Sequence, residues 1–501
     1  MSTAKKFAGQ TAIYGTSTIA GRVLSFFLTP VYTRAYPTGV YGILTTMFSW
    51  ASILNAIMAF GMETTFFRYL EKYSENRSKV YNNAFASIFS ITIIFLLLTL
   101  PFVGHIANVI KVGESSSHQD FTNFILLFIF ILIIDAWCVI PFAKLRAEGK
   151  PGRYSLIKFI NVIVFIVFNL IFIWGLPFWI RHQLPGTAWI NGWYTKGWVG
   201  YVFLSNLISS ALTLVLLLPE LLKVKFDFDG KMLSEMFSYS WPVLVANISF
   251  IINENSDKIF LGKLLPQSIS AQQVGIYGAC YKIALFLSIF IQAFRLGAEP
   301  FFFSHAKDKN SGQIYARIMD YFVITICVIF VALVANIEIL KYFIKGRDAE
   351  QTALYWTGLG VVPPLLFGYV SLGIYMNLSV WYKLSDQTKY GLYISGIGAI
   401  LTIILNLLFI PKYSYMASAW VSLIAYACMM VMSYIWGQQN YPIPYNLKKN
   451  VAYIISSILI VYLSFYVFNR NIFAGNLLLL FFILTAIYFE GKDLKAIFSK
   501  R

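Results

Sequence analysis

Apolar runs of about 18 residues or more recur from one end of this 501-residue chain to the other, each long enough to cross a hydrocarbon layer of about 30 Å as a helix. The runs predict an all-α integral membrane protein with about fourteen transmembrane helices, the first over residues 11–33 and the last over 472–489. Charged residues make up only 12% of the chain, about half the usual share of roughly 25%. That deficit excludes an ordinary soluble enzyme.

A net charge of +17 would in a soluble protein suggest an acidic partner such as nucleic acid, so the placement of the basic residues matters more than their number. With the N-terminus inside, about 26 Lys and Arg fall on the cytoplasmic side and about 11 on the other, the positive-inside bias of membrane proteins. Nucleic acid is not needed, and both termini are expected in the cytoplasm. The cysteines, Cys138, Cys280, Cys327 and Cys428, lie in apolar runs without metal-ligand or CxxC spacing and read as packing residues. The first apolar run is too long for a signal peptide and lacks a cleavage site, so it is kept as helix one.

The segments between runs are short, the longest being about 20 residues, near 177–197 and 220–237. The polar stretch after Glu220 is the natural linker between two halves. Those halves repeat. Gly39-Val40-Tyr41-Gly42 recurs as Gly275-Ile276-Tyr277-Gly278, and Gly61-Met62-Glu63 recurs as Gly297-Ala298-Glu299, both at an offset of 236 residues. The same offset aligns Arg22 with Lys258 and Pro30 with Pro266. An even number of helices separates equivalent positions, so the halves share one topology about an axis along the membrane normal. The organisation expected is an N-terminal six-helix lobe (1–220), a cytoplasmic linker (221–236), a C-terminal six-helix lobe (237–440), and helices thirteen and fourteen with a tail (441–501).

A charge at the centre of a transmembrane helix costs about 2.5–3.5 kcal/mol on insertion scales, so it needs a wet cavity or a partner. Arg22 sits among small polar residues in helix one and has no acid within a turn. Helix two ends in Glu63 and Arg68, helix seven holds Glu254, Asp257 and Lys258, and helix eight holds Lys282, Arg295 and Glu299. Glu254 with Lys258, and Arg295 with Glu299, have the spacing to neutralise one another. Glu254 and Asp257 share a helix face, where mutual repulsion suits exchange of H⁺ or Na⁺; two carboxylates at a wet helix end, balanced by Lys258, fit the spacing equally. The aromatic segment from Trp179 to Trp198 reads as an interfacial anchor, with sugar stacking as the other reading.

These residues resemble the polysaccharide flippases of the multidrug/oligosaccharidyl-lipid/polysaccharide exporter superfamily. The resemblance rests on Tyr14-Gly15, Arg22, Pro30-x-Tyr32-Thr33-Arg34, Tyr41-Gly42 and Gly61-x-Glu63-x-x-Phe66-Phe67-Arg68. It continues in Leu145-Arg146-Ala147-Glu148-Gly149-Lys150, Ser256-Asp257-Lys258, Glu299-Pro300-Phe301 and Ile410-Pro411-Lys412-Tyr413. Lys258 departs from the Arg that the family often has there, which loses bidentate geometry. The resemblance implies two lobes in a V around a cavity lined by helices one, two, seven and eight. It implies an undecaprenyl-diphosphate-linked oligosaccharide carried from the cytoplasmic to the periplasmic leaflet by alternating access, for surface polysaccharide or O-antigen synthesis. It also implies the inner membrane of a bacterial cell as the place of the chain, membrane lipids and polysaccharide polymerase machinery as partners, and no cofactor beyond a coupling H⁺ or Na⁺. Arg22, Lys258, Lys282 and Arg295 then supply cations for the diphosphate, with Glu63, Arg68, Glu254, Asp257 and Glu299 in gating or coupling. Two rivals stay open: a cation-coupled exporter of drug-like molecules, and a membrane glycan polymerase or ligase. The first calls for an acidic, aromatic cavity and the second for a large outer loop with catalytic Arg or His.

Overall fold

The computed structural model describes residues 19–498 except 22, 226, 227, 306, 307 and 309, and only the backbone of 299, 300, 303, 304 and 492–498. Every regular element among the described residues is a helix, and eleven of these are long and apolar enough to cross a bilayer. The first expected span, 11–33, lies largely outside the described residues; its end is a helix at 19–26 (residue 22 apart) and α1 (Thr29–Ala35). There follow α2 (Thr38–Lys72), α3 (Ser74–Ile110), α4 (His118–Ala147), α5 (Pro151–Arg181) and α6 (Gly200–Leu216), the last shorter than the others. Beyond the linker come α7 (Gly230–Leu264), α8 (Gln267–Ser304), α9 (Ser311–Ala335) and α10 (Ala349–Leu384).

The 52-residue helix Lys389–Asn440 is broken at Ser414, whose φ of 50° no helix accommodates. The Ser418 hydroxyl donates to Asn406 Oδ1 at 3.3 Å, whereas a straight helix would hold positions twelve residues apart about 18 Å from one another. The arms 389–413 and 415–440 therefore fold back as two spans, α11 and α12, as the sequence predicts on either side of Pro411. α13 (Leu447–Val467) and α14 (Ile472–Phe498) complete the chain. Both pack on α9. Polar contacts fix the seam: Asn336 and Asn476 exchange hydrogen bonds at 3.2 and 3.1 Å, and Lys449 pairs with Glu490 at 2.6 Å and Asp320 at 3.4 Å.

α2 to α6 pack on one another, and α7 to α12 do the same. The loop between these bundles is less solvated than its polarity suggests. Glu220 is fully buried, its Oε2 paired with Arg153 at 3.0 Å and its carbonyl bonded by Tyr81. Asn82 and Asn83 at the start of α3 accept from the amides of Lys225 and Asp229, and Asp229 caps α7. We call this side the linker face, expected in the cytoplasm, and the other the far face.

The Gly61-Met62-Glu63 motif makes a break in α2. Phe60 and Gly61 are both left-handed, at φ 46° and 67°, which glycine accepts without strain, and a Cβ on Gly61 would sit 3.2 Å from the Ser240 carbonyl of α7. Its repeat mate Gly297 lies inside unbroken helix. The repeated motif thus gives a break in one half only: a Cβ on Gly61 would meet Val243 and Ser240 of α7, whereas one on Gly297 would meet nothing within 4 Å.

At the far face α2 and α8 approach one another closely. A Cβ on Gly42 would fall 1.8 Å from the Ala271 carbonyl oxygen, and one on Gly275 1.9 Å from that of Thr38. Backbones meet there because neither glycine carries a side chain. Overpacking such a contact typically costs about 1–3 kcal/mol, so Gly275→Val is expected to part the helices. In a cysteine-free background carrying Thr45→Cys, it then increases labelling by an impermeant maleimide applied from the far face; unchanged labelling would mean that the helices repack without opening.

Candidate functional site

Between the bundles lie two adjoining chambers of about 580 and 500 Å³, which share Ser25, Asn161, Glu254 and Lys282 in their walls. The deeper one ends at Tyr32, Tyr41 and Thr45, beneath the Gly42–Gly275 contact that closes the far face. The other runs past Tyr154, Lys158 and Gln292 toward the linker face. Their walls are rich in hydroxyl and amide groups: Ser49, Ser52, Asn206, Ser209 and Asn255 in the first, Ser288 and Gln292 in the second. Polar groups on this scale at mid-membrane depth are tolerated only where they line water or pair with one another.

The nine charged positions singled out from the sequence go to different places. Lys258, Lys282 and Glu254 line the cavity. Arg295 lines a separate small pocket within the C-terminal bundle, with Asn377 and Lys383. Glu63 and Arg68 lie at the linker face: Glu63 pairs with Arg146 of α4, and Arg68 stacks 4.3 Å over the Tyr239 ring of α7. The α2–α7 seam is strengthened by Lys72 with Glu235 at 2.6 Å and Thr65 with Ser240 at 2.5 Å. Arg22 lies outside the described residues, as does the side chain of Glu299; Gly21 and Ser25, on either side of Arg22, are cavity-lining.

Glu254 and Asp257 do not share one environment. Asp257, 1% exposed, points into the C-terminal bundle, where its Oδ2 accepts from Tyr277 at 2.5 Å and its Oδ1 from the Lys258 ammonium at 2.9 Å. Lys258, 4% exposed, also donates to the Glu254 carbonyl at 2.7 Å and lies 3.7 Å from the Tyr281 ring centroid. It therefore bonds the carbonyl of Glu254 and the carboxylate of Asp257, a pattern that four-residue spacing does not foretell. Tyr369 of α10 donates to the Tyr281 hydroxyl at 2.5 Å, and Asn253 accepts from Thr402 of α11 at 2.9 Å and, through its carbonyl, from Tyr426 of α12 at 3.4 Å. One wall of the cavity is thus continuous with a buried polar network.

Two ionisable groups were missed from the sequence. Lys158 lines the second chamber, and Asp135 of α4 accepts from Ser210 of α6 at 2.6 Å. Each is the single charged residue in its expected span, 155–176 or 121–142, which by itself marks an intramembrane functional candidate. Among the described residues no cluster of His, Cys, Asp and Glu could hold a metal ion.

Breaking a buried ion pair by removing one partner costs about 3–5 kcal/mol, while replacing both partners by apolar groups is often neutral. Asp257→Asn is therefore expected to lower thermal stability in detergent clearly, and Asp257→Leu with Lys258→Met to restore most of it. Equal loss in both variants would show that the carboxylate acts through Tyr277 instead.

The sequence profile of a family described as polysaccharide biosynthesis protein matches residues 7–303, and that of the MatE family matches 242–408. An uncharacterized membrane protein of Methanocaldococcus jannaschii is 21% identical over 440 residues, covering 83% of this chain and 82% of its own length. Among solved structures, the lipid II flippase MurJ in an inward closed conformation superposes with a TM-score of 0.73 at 15% identity, over 96% of this chain and 99% of its own. A multidrug resistance MATE family transporter of the MOP superfamily, inward-facing, gives 0.64 at 14% identity, over 86% and 94%. At these identities the structures show a common fold, that of the superfamily's flippases and transporters. With more than half its length matched by the first profile, this multi-pass membrane chain belongs to the polysaccharide biosynthesis protein family.

Proposed function

We propose that this protein is a flippase that carries a polyprenyl-diphosphate-linked oligosaccharide from the linker-face leaflet to the far-face leaflet by alternating access, for assembly of a surface polysaccharide. One observation carries the reading: a polar cavity between the two bundles, closed at one end, holds cations contributed by both. Lys158 comes from the N-terminal bundle, Lys258 and Lys282 from the C-terminal one. Each sugar hydroxyl stripped of water without a partner costs on the order of 1–3 kcal/mol, so the glycan needs such a wet, hydroxyl-lined passage. The diphosphate needs cations, and charge-assisted bonds to phosphate are among the strongest available. The polyprenyl tail stays in lipid, for which α13 and α14 offer an apolar outer surface at Phe473, Leu477 and Phe481. H⁺ or Na⁺ remains the candidate driving ion, with Glu254 the carboxylate that faces the cavity.

The second reading is a cation-coupled exporter of drug-like molecules, favoured by Glu254 in the cavity wall and by the MatE match. Against it stand two lysines on the chamber wall, Lys158 and Lys282, to one carboxylate, Glu254, among the described lining residues, with Lys258 balanced by its partner Asp257.

Lys282→Gln and Arg22→Ala are expected to abolish surface-glycan display in a complementation assay while membrane insertion, measured by immunoblot, is kept. Full display by both variants would remove the cavity cations from the mechanism.

A further inference from the structure

A further cavity lies outside the chambers between the bundles. It sits within the N-terminal bundle among α2, α3 and α4, has a volume of about 360 Å³, and every atom it exposes is apolar. Beside it α3 is broken. Leu100–Phe102 is a single 3₁₀ turn around Pro101, which lacks the backbone donor that a continuous helix needs, and the last stretch of α3, Val103–Ile110, lies against α4. Phe95 before the break and Ile106 after it line the cavity together with Trp50 and Leu54 of α2 and Phe128 of α4.

α2 is the wall between this cavity and the polar chamber. Its Phe48, Ser49 and Ser52 line the chamber, whereas Met47, Trp50 and Leu54 line the cavity. Across the wall Phe48 meets Phe128, with ring centroids 5.6 Å apart. The cavity reaches the outer surface at the far-face end of α3, where Val109, one residue before the helix ends, lines it and is 64% exposed. From there it runs inward. Met47 to Leu54 lie about 14–24 Å along α2 from its far-face start at Thr38, a depth that falls within a hydrocarbon layer of about 30 Å.

We propose that this cavity holds one acyl chain of a bilayer lipid from the far-face leaflet, seated behind α2. An apolar cavity stays dry, and while it is empty its lining forfeits dispersion contacts that hydrocarbon restores. A cavity of about 150 Å³ already admits benzene, so one more than twice as large takes a segment of chain. The tail of the proposed cargo is the other hydrocarbon in reach, but it must pass between leaflets with its head in the chamber, on the opposite side of α2. A lipid of the far leaflet needs no such passage, because the cavity opens at its own level. The site is therefore independent of what the chamber carries, and its occupant backs the helix that bears Gly42, where α2 meets α8.

The test is photo-cross-linking of the full-length protein in nanodiscs of phosphatidylcholine that carries a diazirine in its acyl chain, followed by peptide mass spectrometry. Adducts are expected on the cavity walls, within residues 47–54 and 95–110, as well as on the outer surface of α14 at Phe473, Leu477 and Phe481. Val109→Trp narrows the mouth at an exposed position, and Ala51→Phe fills the interior. Each is expected to cut the cavity adducts severalfold and to leave those on α14 unchanged. Thermal melting in the same discs separates loss of the site from loss of the fold, since Val109 is exposed and takes a larger side chain without repacking. Cavity adducts that persist in both variants would show contact with the bulk bilayer only and overturn the site, as would their absence from the wild-type protein. Polyprenyl phosphate added to the discs is expected to leave the cavity adducts in place; their selective loss would give the cavity to the cargo's tail and overturn the resident lipid.

Discussion

The contact of α2 with α8 at Gly42 and Gly275 is the constraint on which the rest of the structure depends. Two backbones in van der Waals contact seal the far face, so the space between the bundles becomes a chamber with one closed end. Water can then enter from the linker face without a continuous path across the bilayer. The polar side chains of α2, α5, α6, α7 and α8 are tolerable at membrane depth because that water reaches them.

Within this frame the charges divide by how they are satisfied. Asp257 and Lys258 are bonded to one another and to Tyr277 and the Glu254 carbonyl, which makes them part of the C-terminal bundle's interior. Glu63 with Arg146, Arg68 with Tyr239, and Lys72 with Glu235 lie at the linker face, the latter two across the α2–α7 seam that must part if the bundles rock. Lys158 and Lys282 line the chamber. A residue's type does not decide which of these roles it takes; its bonding does.

Much of the fold was legible because its signals are local. Span lengths follow from hydrophobic runs, and even the break between α11 and α12 fell where Pro411 and the polar residues after it interrupt one run. The cavity helices two, seven and eight were legible as well, since buried charge on a membrane helix is rare. What sequence did not reveal depends on packing. The repeat places Gly61 and Gly297 in register, yet α2 breaks and α8 does not. Helical spacing brings Glu254, Asp257 and Lys258 together, but rotation of α7 sends one carboxylate to the cavity and the other into the bundle. Lys158 and Asp135 were passed over because each stood alone in its run, away from the conspicuous groups on α7 and α8. Glu220, in the most polar stretch, is buried because Arg153 and Tyr81 meet it from other helices.

The central question is whether the cargo is a glycan on an anionic lipid. The direct measurement is mass spectrometry of polyprenyl-linked lipids in a host lacking this protein, with surface glycan stained in parallel. Accumulation of a completed lipid-linked repeat unit together with loss of the surface polymer is the predicted result. Unchanged lipid pools and normal surface glycan, with altered sensitivity to cationic dyes, would contradict it and assign the cavity to small-molecule export.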